Sequence, residues 1–210
     1  MSLSESLPDR LFLLAYDTHR KRLARWTDVG LLVRAAALAE LELLGALVDE
    51  RGRATLPRMK RPAVADPLLR EVLTEIKAAP RPRRWQHWVQ RGKGRARTAV
   101  ERRLVADRVI TAQPYRLLGV IPRTRITVRD PRLVERLHAV VAEVLRGHTV
   151  DPRDAAMVAL AATGELRTVF GWRKRRAHRA RIAELAATSS AAAVRGLKKA
   201  VAAQHAAEGG

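Results

Sequence analysis

The chain has 210 residues, with 41 Lys and Arg against 21 Asp and Glu, a net charge of +20, and no Cys. The missing cysteines exclude disulfide scaffolds, thiolate nucleophiles and Cys-ligated zinc, and they suit a reducing compartment. At 47% hydrophobic residues the chain is not disordered by composition, and no run reaches the roughly 20 apolar residues that cross a bilayer.

Only seven of the basic residues are Lys. Arg and Ala are enriched together, which is one mark of genomic base composition. A two-to-one excess of one sign still costs self-repulsion unless a polyanion offsets it, so nucleic acid or acidic lipid is the expected partner. The length suits one domain, residues 1–210. Met1–Arg10 lacks the basic and apolar regions of a secretory signal, so the expected location is cytoplasmic.

In chain order, Leu7 to Tyr16 reads as a short buried helix with Pro8 and Asp9 in its first turn, followed by a polar loop or small hairpin. Thr27 or Asp28 caps a central core helix whose spacing runs from Val29 to Leu47 and which is apolar almost all round. Asp49 to Arg53 is a turn, with a short edge strand at Ala54 to Leu56. Asp66-Pro67 starts a helix whose stripe is Leu68, Leu69, Val72, Leu73 and Ile76. A Trp-bearing helix spans Arg83 to Gln90 and ends at Gly92 and Gly94. The next runs from Ala96 to Asp107, burying Val100, Leu104 and Val105. Val109 to Arg129 alternates loosely with Gly and Pro punctuation, as a long β-hairpin does. Asp130-Pro131 and Asp151-Pro152 open helices at Arg132 to Arg146 and Arg153 to Ala162. Helices at Lys174 to Ala187 and Ala191 to Ala207 follow, before a frayed end at about 206–210. The class is all-α: one helical domain with a core bundle wrapped by amphipathic helices, plus one protruding β-hairpin.

Enzyme signatures are missing: there is no GxGxxG, Walker, HExxH or GxSxG pattern. The six His are scattered singly, and Glu40 and Glu42 lie on different faces of the central helix, so no acid and base pair forms. The expectation is no catalytic residue, no metal and no cofactor. Basic residues, in contrast, cluster. Arg91, Lys93, Arg95, Arg97, Arg102 and Arg103 gather at a Gly-bounded helix start, where free N–H groups and the helix dipole favour an anion and Arg forks grip phosphate. Arg173 to Arg176, with Arg179 and Arg181, form a second cluster that equally suits a solvated face. Arg34 sits in an otherwise apolar helix, where an unpaired charge costs several kcal/mol. Its partner is therefore either a carboxylate, Glu40 being the candidate, or a bound phosphate. Trp26 stands beside Arg22 and Arg25 at the entrance to that helix. The hairpin tip, Tyr115 to Ile121, is apolar and flanked by Arg116, Arg123, Arg125 and Arg129. It suits shallow insertion among lipids, or packing on the chain's own core or on a second copy.

The ordered series Leu11-Phe-Leu-Leu14, Trp26, Leu38-Ala-Glu-Leu-Glu-Leu-Leu-Gly45, Asp66-Pro-Leu-Leu-Arg-Glu71, Trp88, Arg97 to Val109, the hairpin and Asp130-Pro resembles the Golgi phosphoprotein 3 family in its compact prokaryotic form. The resemblance implies an α-helical domain with a four-helix core that binds phosphatidylinositol 4-phosphate on membranes. It carries the family's loop Trp to Trp26, its helix Arg to Arg34 and the second of its basic pair to Arg97. The first of the pair falls on Gly94, a departure that Lys93 or Arg95 would make good, and the Trp-to-Arg spacing is one residue shorter. The apolar hairpin tip maps to Leu117, Leu118, Val120 and Ile121, for membrane insertion or self-association into a homo-oligomer. The family's basic N-terminal tail and its glycosyltransferase clients do not carry over to this chain.

The reading is therefore a non-catalytic peripheral membrane protein on the inner face of a membrane. Trp26, Arg34, Lys93, Arg95 and Arg97 would hold an anionic phospholipid head group. The alternative is a nucleic-acid binder in which helix Ala96 to Asp107 and the hairpin mimic a winged helix.

Overall fold

The structure is a computed structural model describing residues 6–24, 27–58, 62–117, 120–147 and 151–209, apart from the side chains of 116, 117 and 121–123. Its organising element is α2 (Val29–Leu43), in which every residue from Val29 to Leu41 is buried. A helix that is apolar all round has to be enclosed on every side. Around it pack α1 (Leu7–Leu14), α3 (Pro67–Lys77), α4 (Trp85–Gln90), α5 (Lys93–Ala106), α7 (Pro152–Thr163) and α10 (Ala191–Glu208). The fold is mostly helical, and α6 (Pro131–Arg146) covers α1 and α7 with an amphipathic face of Leu133, Val134, Leu137, Val141, Val144 and Leu145.

Asp-Pro starts behave as anticipated. Asp66, Asp130 and Asp151 accept from the backbone N–H of Leu69, Arg132 and Arg153, with Pro at the next position of each. Other boundaries move. α2 stops at Leu43, because Gly45 takes positive φ and turns the chain into β3 (Val48–Glu50). β3 pairs with β4 (Arg53–Thr55), and β4 with β5 (Arg83–Arg84), so the expected single edge strand belongs to a three-stranded sheet. A second small hairpin, β1 (Tyr16–Asp17) with β2 (Arg22–Leu23), follows α1.

α5 begins at Lys93, three residues before the expected Ala96, and its Val105 is 40% exposed where burial was expected. The expected helix at 174–187 is two, α8 (Trp172–Ala177) and α9 (Arg179–Thr188), separated at His178. α10 stays helical to Glu208, so the expected fraying from 206 does not hold through that residue. The long hairpin, β6 (Ile110–Leu117) and β7 (Ile121–Val128), is in register from Ile110↔Val128 to Leu117↔Ile121, and its base is anchored by buried Ile110, Ile126 and Val128.

Glycines stand at a close helix contact and at a helix start. Gly196 of α10 lies against α4 so closely that a Cβ there would meet the Trp85 Cβ at 2.8 Å. Gly92, the N-cap of α5, has φ 71° and lies over Arg34, whose Cζ would be 3.6 Å from an added Cβ. Among the described residues no helix is long and apolar enough to cross a membrane.

Candidate functional site

The α2, α3 and α5 junction brings most of the predicted cations together, but with acids among them. Arg34 is 1% exposed. Its Nη2 donates to Glu75 Oε2 at 2.5 Å and its Nε to the Trp88 carbonyl at 3.0 Å. Burial lowers the Arg34 pKa, and Glu75 and Glu71 pull it back. Glu75 also accepts from Arg95 at 2.5 Å, while Glu71 lies 3.3 Å from Arg95 Nε. The acid that satisfies Arg34 is thus Glu75, not Glu40. Glu40 instead accepts from the Leu7 backbone N–H at 3.0 Å and lies 3.5 Å from Arg153. Glu71 and Glu75 are four residues apart on α3 and share a face, which was the signal in the sequence for this clamp.

Three other cations of the α5 start are also engaged. Lys93 Nζ donates to Asp28 Oδ2 at 2.7 Å, and the other oxygen of Asp28 caps α2 through the Leu31 N–H. Arg97 donates to Glu101 at 2.7 Å, one turn along α5. Arg103 turns inward to Asp9 and Asp66, tying α5 to α1 and to the start of α3. Although burial disfavours its charge, those two carboxylates hold its pKa up. Three of the predicted head-group ligands, Arg34, Lys93 and Arg95, therefore serve as internal ties. Trp26 lies outside the described residues.

Arg97 points elsewhere. It lines a cleft of about 1370 Å³ bounded by the β1–β2 hairpin, the start of α2, the β6–β7 hairpin and α10. Arg20, Lys21, Arg22 and Arg125 line it too, beside an apolar floor that includes Leu23, Leu31, Ile126 and Val201. Arg20 lies 3.8 Å from Asp17. Lys21, at the hairpin turn with φ 49°, Arg22 and Arg125 have no carboxylate partner among the described residues. Arg125 stacks over the Tyr115 ring, its Cζ 5.4 Å from the centroid. Ala24 and Thr27 also line the cleft. Acidic groups are present at its edges, Asp28, Glu165 and Glu208, with Glu165 facing Arg175 at 3.2 Å and His205 at 3.7 Å. The sequence places Arg22 beside Trp26 and Arg125 beside the hairpin tip, but it does not single out Lys21 or join the three, because they converge through two hairpins about 100 residues apart rather than along one helix.

At the hairpin tip Val120 is 75% exposed. Leu117 and Ile121 end the two strands as a register pair. Leu118 lies outside the described residues.

The class defined by these features is a helical domain wrapped about one buried helix, with a β-hairpin and a cationic cleft beside the helix start. The chain belongs to the Golgi phosphoprotein 3 (GPP34) family, whose family model matches residues 7–204. A comparison with curated proteins found no match.

Proposed function

We propose that the protein is a non-catalytic, peripheral membrane protein that binds anionic phospholipid head groups of the phosphatidylinositol 4-phosphate kind. The observation that carries this reading is the group of cations lining the cleft, Lys21, Arg22 and Arg125, without carboxylate partners among the described residues, with Arg97 alongside. Cations gathered in one cleft without acids repel one another, and an anion from outside offsets that repulsion while accepting their hydrogen bonds. The mixed lining suits a phosphate at the mouth with apolar atoms of a lipid beneath it. Arg34, Lys93 and Arg95 support the site from behind by fixing the starts of α2 and α5, and Arg97 alone of that group faces the ligand. The exposed Val120 suits a tip that touches the bilayer.

A duplex nucleic acid is the weaker reading. Glu71, Glu75 and Glu101 pair with the Arg side chains of α5 and would set carboxylates against a phosphate backbone.

Co-sedimentation with vesicles of phosphatidylcholine, with and without phosphatidylinositol 4-phosphate or phosphatidylglycerol, tests the proposal. Binding should require the anionic lipid and fall with salt. Each basic residue near such a surface contributes about 1 kcal/mol. Arg22→Ala with Arg125→Ala should therefore weaken binding roughly 30-fold. Equal binding to neutral vesicles, or an unchanged affinity in the double variant, refutes it.

A further inference from the structure

α8 and the start of α9 divide their residues between two faces in a way that core packing does not require. Lys174, His178, Ile182 and Leu185 are half-buried or buried, with Lys174 over the Phe170 ring at 5.6 Å. On α8, Trp172, Arg175 and Arg176 fall at i, i+3 and i+4, a spacing that puts them on one stripe, and Arg179 opens α9 just past the turn at His178. All four are exposed, Trp172 to 70%. No residue of α8 is buried. From Leu166 to Ala183 there are seven Lys and Arg and no acid.

We propose that this stripe, Trp172 with Arg175, Arg176 and Arg179, docks on the head-group layer of an anionic lipid bilayer. The inference rests on the membrane reading given above but uses none of the cleft residues that carry it. An indole left in water gains by moving to a membrane interface, where its apolar body and its N–H are both accommodated. The Arg side chains beside it match the negative surface potential of acidic lipid. Arg173, stacked on the indole with its Cζ 5.5 Å from the ring, keeps a cation at the level of the Trp. Arg175 reaches Glu165, a residue of the cleft lining. The stripe thus adjoins the cleft mouth, and docking through it would bring the cleft to the lipid surface. Single-stranded nucleic acid, the other polyanion that aromatic and Arg side chains hold, is bound on a platform of successive aromatic rings, whereas this stripe carries a single ring, Trp172.

The test uses the full chain and vesicles of phosphatidylcholine and phosphatidylglycerol. Arg176→Ala with Arg179→Ala should weaken co-sedimentation roughly 30-fold, and Trp172→Ala should weaken it further. Vesicles with brominated acyl chains should quench wild-type tryptophan fluorescence more than that of Trp172→Phe. All the altered side chains are exposed, so unchanged circular dichroism is expected for each variant. If these variants bind as the wild type does while Arg22→Ala with Arg125→Ala is weakened, the inference fails and the membrane reading stands. Should the wild type bind no anionic vesicle, both fail. Loss of oligonucleotide binding with vesicle binding intact would assign the stripe to nucleic acid and overturn the proposal.

Discussion

Replacing Glu75 with Ala removes the one carboxylate among the described residues that touches both Arg34 and Arg95. Arg34 cannot respond by losing its proton, since a guanidinium stays charged in proteins. At 1% exposure it cannot turn to water either. What remains to it among the described residues is the hydrogen bond from Nε to the Trp88 carbonyl and the more distant charge of Glu71. Breaking a buried pair by removing one partner costs about 3–5 kcal/mol, because the surviving charge is uncompensated. For a chain of this size each kcal/mol corresponds to about 2–4 °C, so the melting temperature should fall by roughly 6–20 °C. Removing both charges, as Glu75→Leu with Arg34→Met, should recover much of the loss, since apolar replacements of a whole buried pair are often neutral. Inorganic phosphate should raise the melting temperature of Glu75→Ala more than that of the wild type, because the freed Arg34 and Arg95 then accept an outside anion. Thermal melts of the three proteins with and without phosphate provide the measurement. A Glu75→Ala loss below about 1 kcal/mol would refute the claim that Glu75 compensates Arg34.

Asp28→Ala deletes the cap of α2 and the partner of Lys93 together; a loss of about 1–2 kcal/mol is expected in denaturant unfolding. Gly196→Ala would push a methyl into Trp85 at the α4–α10 contact, and overpacking there should cost about 1–3 kcal/mol by the same assay. His138 titrates below its ordinary 6.5 because burial, and then Lys174, disfavour its charged form. The unfolded chain then takes up the proton first as pH falls, so the contribution of His138 is complete above about 6.5 and is lost on descending from there toward the folded value. Melting temperatures of the wild type and His138→Gln between pH ~7.5 and ~5.5 should converge as that term is lost.

The helical frame was legible because its signals are local. An unbroken apolar stretch can only be a buried helix or strand, and Asp28 with the spacing to Leu41 decides for helix; three Asp-Pro pairs mark three further starts. Boundaries failed where a single backbone state decides them, as at Gly45, which ends α2 before Leu47, and at Gly92, which caps α5 ahead of Ala96. The sheet of β3, β4 and β5 was missed because a two-residue strand such as Arg83–Arg84 has no period of its own and exists only through its pairing with β4. The site was half legible for a related reason. Clusters of Arg are visible in sequence, but whether an Arg is free depends on which acids tertiary packing brings to it. Arg34 and Arg95 look available until α3 lays Glu71 and Glu75 beside them.

That distinction also bears on the origin of the Arg excess. If it were only compositional background, the acids would be distributed over the basic residues without preference. Instead they are concentrated on the joints between elements: Asp9 and Asp66 on Arg103, Asp28 on Lys93, Glu75 on Arg34 and Arg95, Asp49 on Arg195, and Asp154 on Arg10. Glu42 is used similarly, accepting from the Ala192 and Ala193 N–H groups to cap α10 from the end of α2. Each such carboxylate fixes the position of one helix against another, and each is withdrawn from the surface balance. The cations for which the described residues show no such joint include Lys21, Arg22 and Arg125, gathered in the cleft, and Arg176 and Arg179, next to each other at the α8–α9 turn. Substituting a joint Arg should therefore act on stability, and substituting one of these should act on binding to acidic vesicles while leaving the melting temperature within the usual range for surface changes. The separation of the two effects, residue by residue, is what a purely compositional origin would not produce.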